Sequence, residues 1–134
     1  MTPQPLIEMK EVTKTYTLGK TLVEALRGVN LTIKVGEFMV VLGPSGSGKT
    51  TLLNIMGCLD HSTGGHYFLD GEDISGRPFN SLAEVRNRKI GFIFQNFNLI
   101  PVLNVVENIE FPCLLRSKPE NPRVLRERVL ELCQ

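Results

Sequence analysis

Cysteine is scarce in this chain: Cys58, Cys113 and Cys133 are the only three in 134 residues. They are scattered, odd in number and form no C-x-x-C pair. That argues against a disulfide framework or a zinc site and suits small apolar residues in a reducing cytoplasm. The two histidines, His61 and His66, are too isolated to nominate a metal site. No apolar run reaches the roughly 20 residues of a membrane span, because Gly, Pro or charge soon interrupts each one. The opening MTPQPLIEMKEV lacks the basic and apolar regions of a signal peptide. Net charge is only +1, so no global field draws the chain toward nucleic acid or anionic lipid. What is present is 42% hydrophobic and 22% charged residues, the balance of one modest globular domain with a real core.

Two kinds of apolar pattern divide the chain. Residues 6–17, LIEMKEVTKTYT, partly alternate polar and apolar, as a half-buried strand does. VEALRGVNLTIKVGE continues in β character, with Leu26, Val29, Leu31, Ile33 and Val35 on the inward face and Gly36-Glu37 as a turn. FMVVL at 38–42 and IGFIF at 90–94 are apolar throughout, the mark of strands covered on both faces in a parallel sheet flanked by helices. Lys49 to Met56 reads as a helix, with Gly57 suited to a left-handed C-terminal position. GGHYFLDGEDI returns to strand character around an Asp70-Gly71 hairpin turn. SLAEVRNRK reads as a helix with Ser81 as its N-cap. Beyond Gln95, helices are predicted around 102–115 and after KPENP. There Asn121 caps, Pro122 takes the first helical position, and Leu125, Val129 and Leu132 form the apolar stripe. That last helix is still running at Cys133 and Gln134.

Between the first apolar run and its helix lies GPSGSGKT, Gly43 to Thr50. It satisfies G-x-x-x-x-G-K-[ST] at Gly43, Gly48, Lys49 and Thr50, with the strand before and helix after that the motif requires. Glycines let the backbone curl so that successive N–H groups point into one concavity of partial positive charge. The concavity opens onto a helix N-terminus, whose unpaired amides and dipole also favour an anion. Lys49 adds a full charge near the β- and γ-phosphates of a nucleotide. The Thr50 hydroxyl is placed for Mg²⁺, and Thr51 for the α-phosphate. Pro44, Ser45, Gly46 and Ser47 complete the loop, the serines chiefly through backbone amides. The segment reads as a nucleoside triphosphate cradle.

A cradle alone does not name a function. A guanine-specific NKxD motif is absent, the nearest string being NRKI at 87–90. The ordered text around the cradle is more informative: VTKTYTLG and LVEALRGVNLTIKVGE before it, then GCLDHSTGGHYFLDGEDI and IGFIFQNFNLIPVLNVVENIEFP. This series resembles the ATP-binding subunit of ABC transporters over essentially the whole chain, most of all the lipoprotein-releasing and macrolide-export branch.

The resemblance implies an α/β P-loop NTPase (RecA-like) fold, its parallel core joined to an N-terminal antiparallel β subdomain and the start of a helical subdomain. Residues 1–37 and 64–76 fall mainly in the first subdomain, 38–58 and 77–95 in the core, and 96–134 in the helical part. It implies ATP and Mg²⁺ as ligands, Tyr16 stacking on adenine, and Gln95 as a Q-loop residue able to ligate Mg²⁺ alongside Thr50. A strand tyrosine packed on the core is the other reading of Tyr16. The segment from Asn96 to Val106, with Phe97, Leu99, Ile100 and Leu103, is implied to face a membrane permease subunit; packing under its own helix is the alternative. Glu107 matches a family glutamate or sits on a solvated helix face. A second ATP-binding subunit and a cytoplasmic place at the inner face of the cell membrane are implied as well.

Three family parts are not found. STGGH at 62–66 superficially resembles the signature LSGGQ, but it precedes Gln95, where the family has a simple turn. YFLDG at 67–71 ends an apolar stretch in Asp70 but also precedes Gln95, so it is not the second Walker motif. The switch histidine is missing too. The expectation is an N-terminal part of a longer cassette, cut inside its helical subdomain, which binds nucleotide with little or no turnover. Unpaired edges at FMVVL or IGFIF are expected to leave apolar faces exposed. A nucleotide-binding module without catalysis, and a P-loop kinase or GTPase, are the other classes.

Overall fold

The computed structural model describes residues 4–116 and 119–133. Residues 1–3 of the expected β subdomain, Lys118 of KPENP and the closing Gln134 lie outside the described residues. The chain forms two compact units, Met1–Leu82 and Ala83–Gln134, with the boundary inside one helix.

The first unit is built on a four-stranded antiparallel sheet of β1 (Ile7–Leu18), β2 (Thr21–Ile33), β3 (Gly64–Leu69) and β4 (Glu72–Asp73), in the order β2-β1-β3-β4. Its central strand pairs Ile7 with Ile33 on one side and with Leu69 on the other. The alternation in β1 is only partial because the register shifts between Met9 and Val12. Glu11 takes φ +49 there, and its N–H donates to Asn30 Oδ1 at 3.0 Å. Such a bulge inserts one residue and resets which face is buried. Met9, Val12 and Lys14 therefore share the inward side, whereas strict alternation would have placed Glu11 there. The same resetting in β2 buries Leu26 and Ile33 and leaves Val29 and Leu31 half-buried. Val35, expected inward, is exposed because the strand has ended and the chain has entered the Lys34–Glu37 turn. The β3–β4 hairpin turns at Asp70 and Gly71, both at positive φ, as a two-residue hairpin loop requires.

Helix α1 (Lys49–Met56) places Ile55 in this unit's core. Tyr67 on β3, itself buried, donates its hydroxyl to Met56 O at 2.6 Å and ties the sheet to the helix exit. Gly57 does not take the expected left-handed conformation; its φ is −78° and Cys58 takes φ +55° instead. The helical path runs one residue further, so that Cys58 N–H bonds Ile55 O at 3.0 Å and Leu59 N–H bonds Asn54 O at 2.8 Å. That is the Schellman pairing, with a buried cysteine where glycine is usual.

The boundary helix α2 (Phe79–Lys89) starts two residues before the expected cap. Ser81 lies inside it and donates its hydroxyl to Pro78 O at 2.8 Å. In the second unit, α3 (Val105–Leu114) starts later than expected, because Asn104 closes a capping box with Glu107. Helix α4 (Pro122–Leu132) begins as anticipated, with Asn121 accepting from Arg123 N–H at 3.0 Å and Pro122 at its start. Leu125 and Val129 are buried, but Leu132, a full turn from the packed stretch, is exposed. Arg126 bridges α4 to Glu110 of α3 at 3.0 Å.

The strands expected at 38–42 and 90–94 are not formed: among the described residues neither segment joins a ladder. A fully apolar strand needs neighbours on both edges, and no described segment supplies them. Phe38 is 90% exposed, Leu42 86% and Ile93 wholly so. The rings of Phe92 and Phe94 stack on one side at 5.4 Å, as side chains two apart do in extended chain. Exposed apolar ribbons of this kind self-associate. The chain is expected to form oligomers or aggregates as its concentration rises in light scattering, and the Phe38→Ser/Leu42→Ser pair is expected to reduce this. Monodisperse monomer throughout, with no effect of the pair, would contradict it.

Candidate functional site

The loop 43–48 is shaped by two glycines that no other residue replaces easily. Gly46 and Gly48 have φ +79° and +89°, conformations that L side chains rarely adopt. A Cβ on Gly48 would also stand 2.6 Å from Ala25 O and 3.1 Å from Leu26 Cδ2, so the loop end abuts β2 at backbone distance. Gly48 is the N-cap of α1 and brings no side chain to cap it; no acidic residue occupies the first turn. The first helical hydrogen bond in the ladder is from Leu52 N–H to Gly48 O, at 2.8 Å. By helix geometry the amides of the preceding turn have no intrahelical acceptor and project toward the loop. Lys49 closes the loop from the other side. Its ammonium donates to Gly43 O at 2.8 Å and Pro44 O at 2.7 Å, with Ser47 Oγ at 3.5 Å. Ser47 N–H bonds Pro44 O at 3.3 Å. One bend thus gathers uncapped amides and a full positive charge. Ser45 and Thr50 are exposed at the same bend, and Thr51 is half-buried in the first turn.

Tyr16 lies on β1 opposite Val23 of β2, two residues from the Ala25 that abuts Gly48. Its hydroxyl donates to Asp60 Oδ2 at 3.0 Å. Lys14, a charged residue in the core, donates to Asp60 Oδ1 and to His61 O, both at 2.7 Å. Burial by itself would raise the Asp60 carboxyl; hydrogen bonds from Lys14, the His61 amide and Tyr16, with the Lys14 charge, outweigh it and hold the group below its ordinary value. A carboxylate depressed in the folded state adds stability that is complete above the ordinary carboxylate range and disappears as pH falls through the depressed folded value. The urea stability of the parent over Asp60→Asn should therefore be level from neutral pH to the ordinary carboxylate range and close only below it. A gap that closes between pH 7 and 6 would contradict this. Neither Lys14 nor Asp60 was legible as a site residue; a lysine two positions before Tyr16 on a nominal strand reads as solvent-facing until the bulge is known.

In the second unit Gln95 is exposed, at a bend. Phe97 and Leu99 are exposed, Phe97 at 93%, which removes packing beneath their own helix as the reading of these two; Val102 is exposed as well. Ile100 and Leu103 are half-buried. The stretch is held by a residue the sequence did not single out. Asn108 accepts from Ile100 N–H at 2.8 Å and donates to Leu103 O and Asn104 O, each at 2.9 Å, with Ile100 O at 3.3 Å. Glu107 accepts from Asn104 N–H at 2.8 Å, so it is a capping residue of α3 rather than an idle face residue. The spacing Asn104-x-x-Glu107 before an apolar helix was the available signal. Among the described residues no helix is long and apolar enough to cross a membrane.

Loop, helix and flanking sheet together define a P-loop NTPase fold of the cassette type. The chain belongs to the ABC transporter family, whose profile matches residues 26–132. It is 47% identical over 125 residues to an uncharacterized ABC transporter ATP-binding protein of Thermotoga maritima, covering 93% of this chain and 53% of that one. It is 46% identical over 130 residues to the macrolide export ATP-binding/permease protein MacB of Brucella abortus, covering 97% of this chain and 20% of that protein. The dimeric structure of MJ0796, a bacterial ABC transporter cassette, superposes with a TM-score of 0.83 at 46% identity, over 93% of this chain and 54% of that one. The chain thus spans about half the length of the single-cassette relatives it matches.

Proposed function

We propose that this chain is the nucleotide-binding part of the ATP-binding subunit of an ABC transporter and holds Mg-ATP at Gly43–Thr51. The observation that carries this is the loop geometry: uncapped first-turn amides and the Lys49 ammonium face one bend shaped by Gly46 and Gly48. The donor set suits a triphosphate, whose charge is spread over several oxygens that amides and an ammonium can share. Bound Mg²⁺ would neutralise phosphate charge; the Thr50 hydroxyl is the hard oxygen donor of this loop assigned to it, and Gln95 is assigned to it by the family resemblance alone. Tyr16 offers an aromatic face to the base. Electrostatic holding rather than covalent chemistry is what these residues supply.

The exposed Phe97, Leu99 and Val102, braced by Asn108, support the reading of the segment 96–106 as the contact for a membrane permease subunit. Pairing with a second ATP-binding subunit and coupling of ATP binding and hydrolysis to transport belong to the same proposal. It is supported by the family membership and by the dimeric cassette that the chain resembles. The domain assignment follows it: 1–37 and 64–76 as antiparallel subdomain, 38–58 and 77–95 as P-loop core, 96–134 as helical subdomain.

These 134 residues contain no signature, no second Walker Asp-Glu pair and no switch histidine, so binding without steady turnover is expected of them alone. Phosphate release measured beside Mg-ATP binding tests this. Saturable binding with no release above background is the expected outcome, and GTP should compete no better than ATP. Steady hydrolysis that Lys49→Ala abolishes would overturn the non-catalytic reading, and strict GTP preference would return the chain to another P-loop class.

A further inference from the structure

Asp60 is shared by two side chains in a way that fixes Tyr16. Its Oδ2 receives the Tyr16 hydroxyl at 3.0 Å, while Oδ1 receives the Lys14 ammonium at 2.7 Å and the His61 amide at 2.8 Å. The Lys14 ammonium also stands 4.9 Å from the centroid of the Tyr16 ring. The ring is therefore gripped at its hydroxyl end by a carboxylate and across one face by a cation, while the residue stays part-exposed. The lysine side chain is only 8% exposed and Asp60 24%. Burying an ion pair rarely stabilises a fold more than apolar residues of similar size. The pair thus calls for a role beyond packing.

Its location supplies one. Asp60 leaves the C-terminal end of α1, where its N–H and that of Leu59 both bond Asn54 O. The phosphate loop enters the N-terminal end of the same helix at Gly48. Eight helical residues, about 12 Å of rigid rod, separate the two ends. At the same residue, Gly48, the loop abuts Ala25, in the strand paired with β1. We infer that Asp60 and Lys14 are positioning residues for nucleobase recognition: they clamp the Tyr16 ring at a distance from the phosphate loop that α1 sets. This rests on the reading that Tyr16 meets the base of a nucleotide held at Gly43–Thr51.

The test compares affinities of the intact protein for Mg-ATP and for magnesium tripolyphosphate, which has the phosphates but no base. Tyr16→Leu removes the platform and is expected to lower the ATP-to-tripolyphosphate affinity ratio about 10-fold, the worth of one stacked base. Asp60→Asn is expected to lower the same ratio about 3-fold, and Tyr16→Phe, which keeps the ring and the ion pair but loses the tether, by a similar factor. A merely structural role would weaken both ligands together and leave the ratio at the parent value. If Tyr16→Leu lowers the ratio while Asp60→Asn and Tyr16→Phe do not, the positioning role is overturned. If Tyr16→Leu leaves the ratio unchanged, it is the underlying reading of Tyr16 that falls. Tyr16→Phe keeps the outcome decisive should Asp60→Asn fail to fold.

Discussion

Replacing Lys49 with alanine is expected to weaken Mg-ATP binding by about 100-fold or more, roughly 3 kcal/mol at 25 °C. The ammonium is a full positive charge drawn into the loop by its own hydrogen bonds, at 2.8 Å to Gly43 O and 2.7 Å to Pro44 O. Charge-assisted bonds to a phosphate are worth about 1.5–3 kcal/mol, and the lost charge also weakens attraction to every phosphate oxygen nearby. The same substitution removes the brace between the loop's first carbonyls and the helix start, so the amides become less ordered before ligand arrives. Stability should change little, since Lys49 is half-exposed. Titration calorimetry reads the first effect and urea unfolding the second. Unchanged affinity in Lys49→Ala would remove the lysine from the site.

Gly48→Ala is expected to be the most damaging single methyl in the loop 43–48. Two independent penalties meet there. A left-handed conformation costs a non-glycine residue roughly 1–2 kcal/mol, and the new Cβ would press on Ala25 O at 2.6 Å and on buried Leu26 at 3.1 Å. Overpacking of that kind adds about 1–3 kcal/mol. The total, near 3 kcal/mol, falls on the residue that starts α1, so relief by backbone shift also rotates the first-turn amides away from the bend. Both unfolding midpoint and Mg-ATP affinity should fall. Gly46→Ala separates the two penalties, because its φ is +79° but nothing lies within 4 Å of the added carbon. It should lose only the conformational part, about 1 kcal/mol. Equal effects at both positions would show that contact with β2 is irrelevant.

What the sequence disclosed was what local chemistry determines. The glycine-rich loop, α1, the Asp70-Gly71 turn and the Asn121-Pro122 helix start each depend on residues within a few positions of one another, and each appears where expected. Features that depend on distant partners were opaque. The Glu11 bulge draws on Asn30, nineteen residues away, and with it came the burial of Lys14 beside Asp60. The apolar runs at 38–42 and 90–94 specify burial on two faces but not the strands that must lie alongside, and without those no ladder forms. Cys58 took the left-handed position from Gly57 because the tight pairing to Asn54 O fixes the helix end, not the preference of one residue. For the candidate site, the glycine-rich bend at 43–48 and the helix it opens onto were legible. The grip on Tyr16 was not, since it joins β1 to the exit of α1.

The most direct measurement is residue-resolved NMR of backbone amides during titration with Mg-ATP. The expected result is that the largest shifts belong to the amides of residues 45–51, saturate together at one nucleotide per chain, and vanish in Lys49→Ala. Saturable binding that leaves those amides unmoved while others respond would contradict the loop as the seat of the triphosphate.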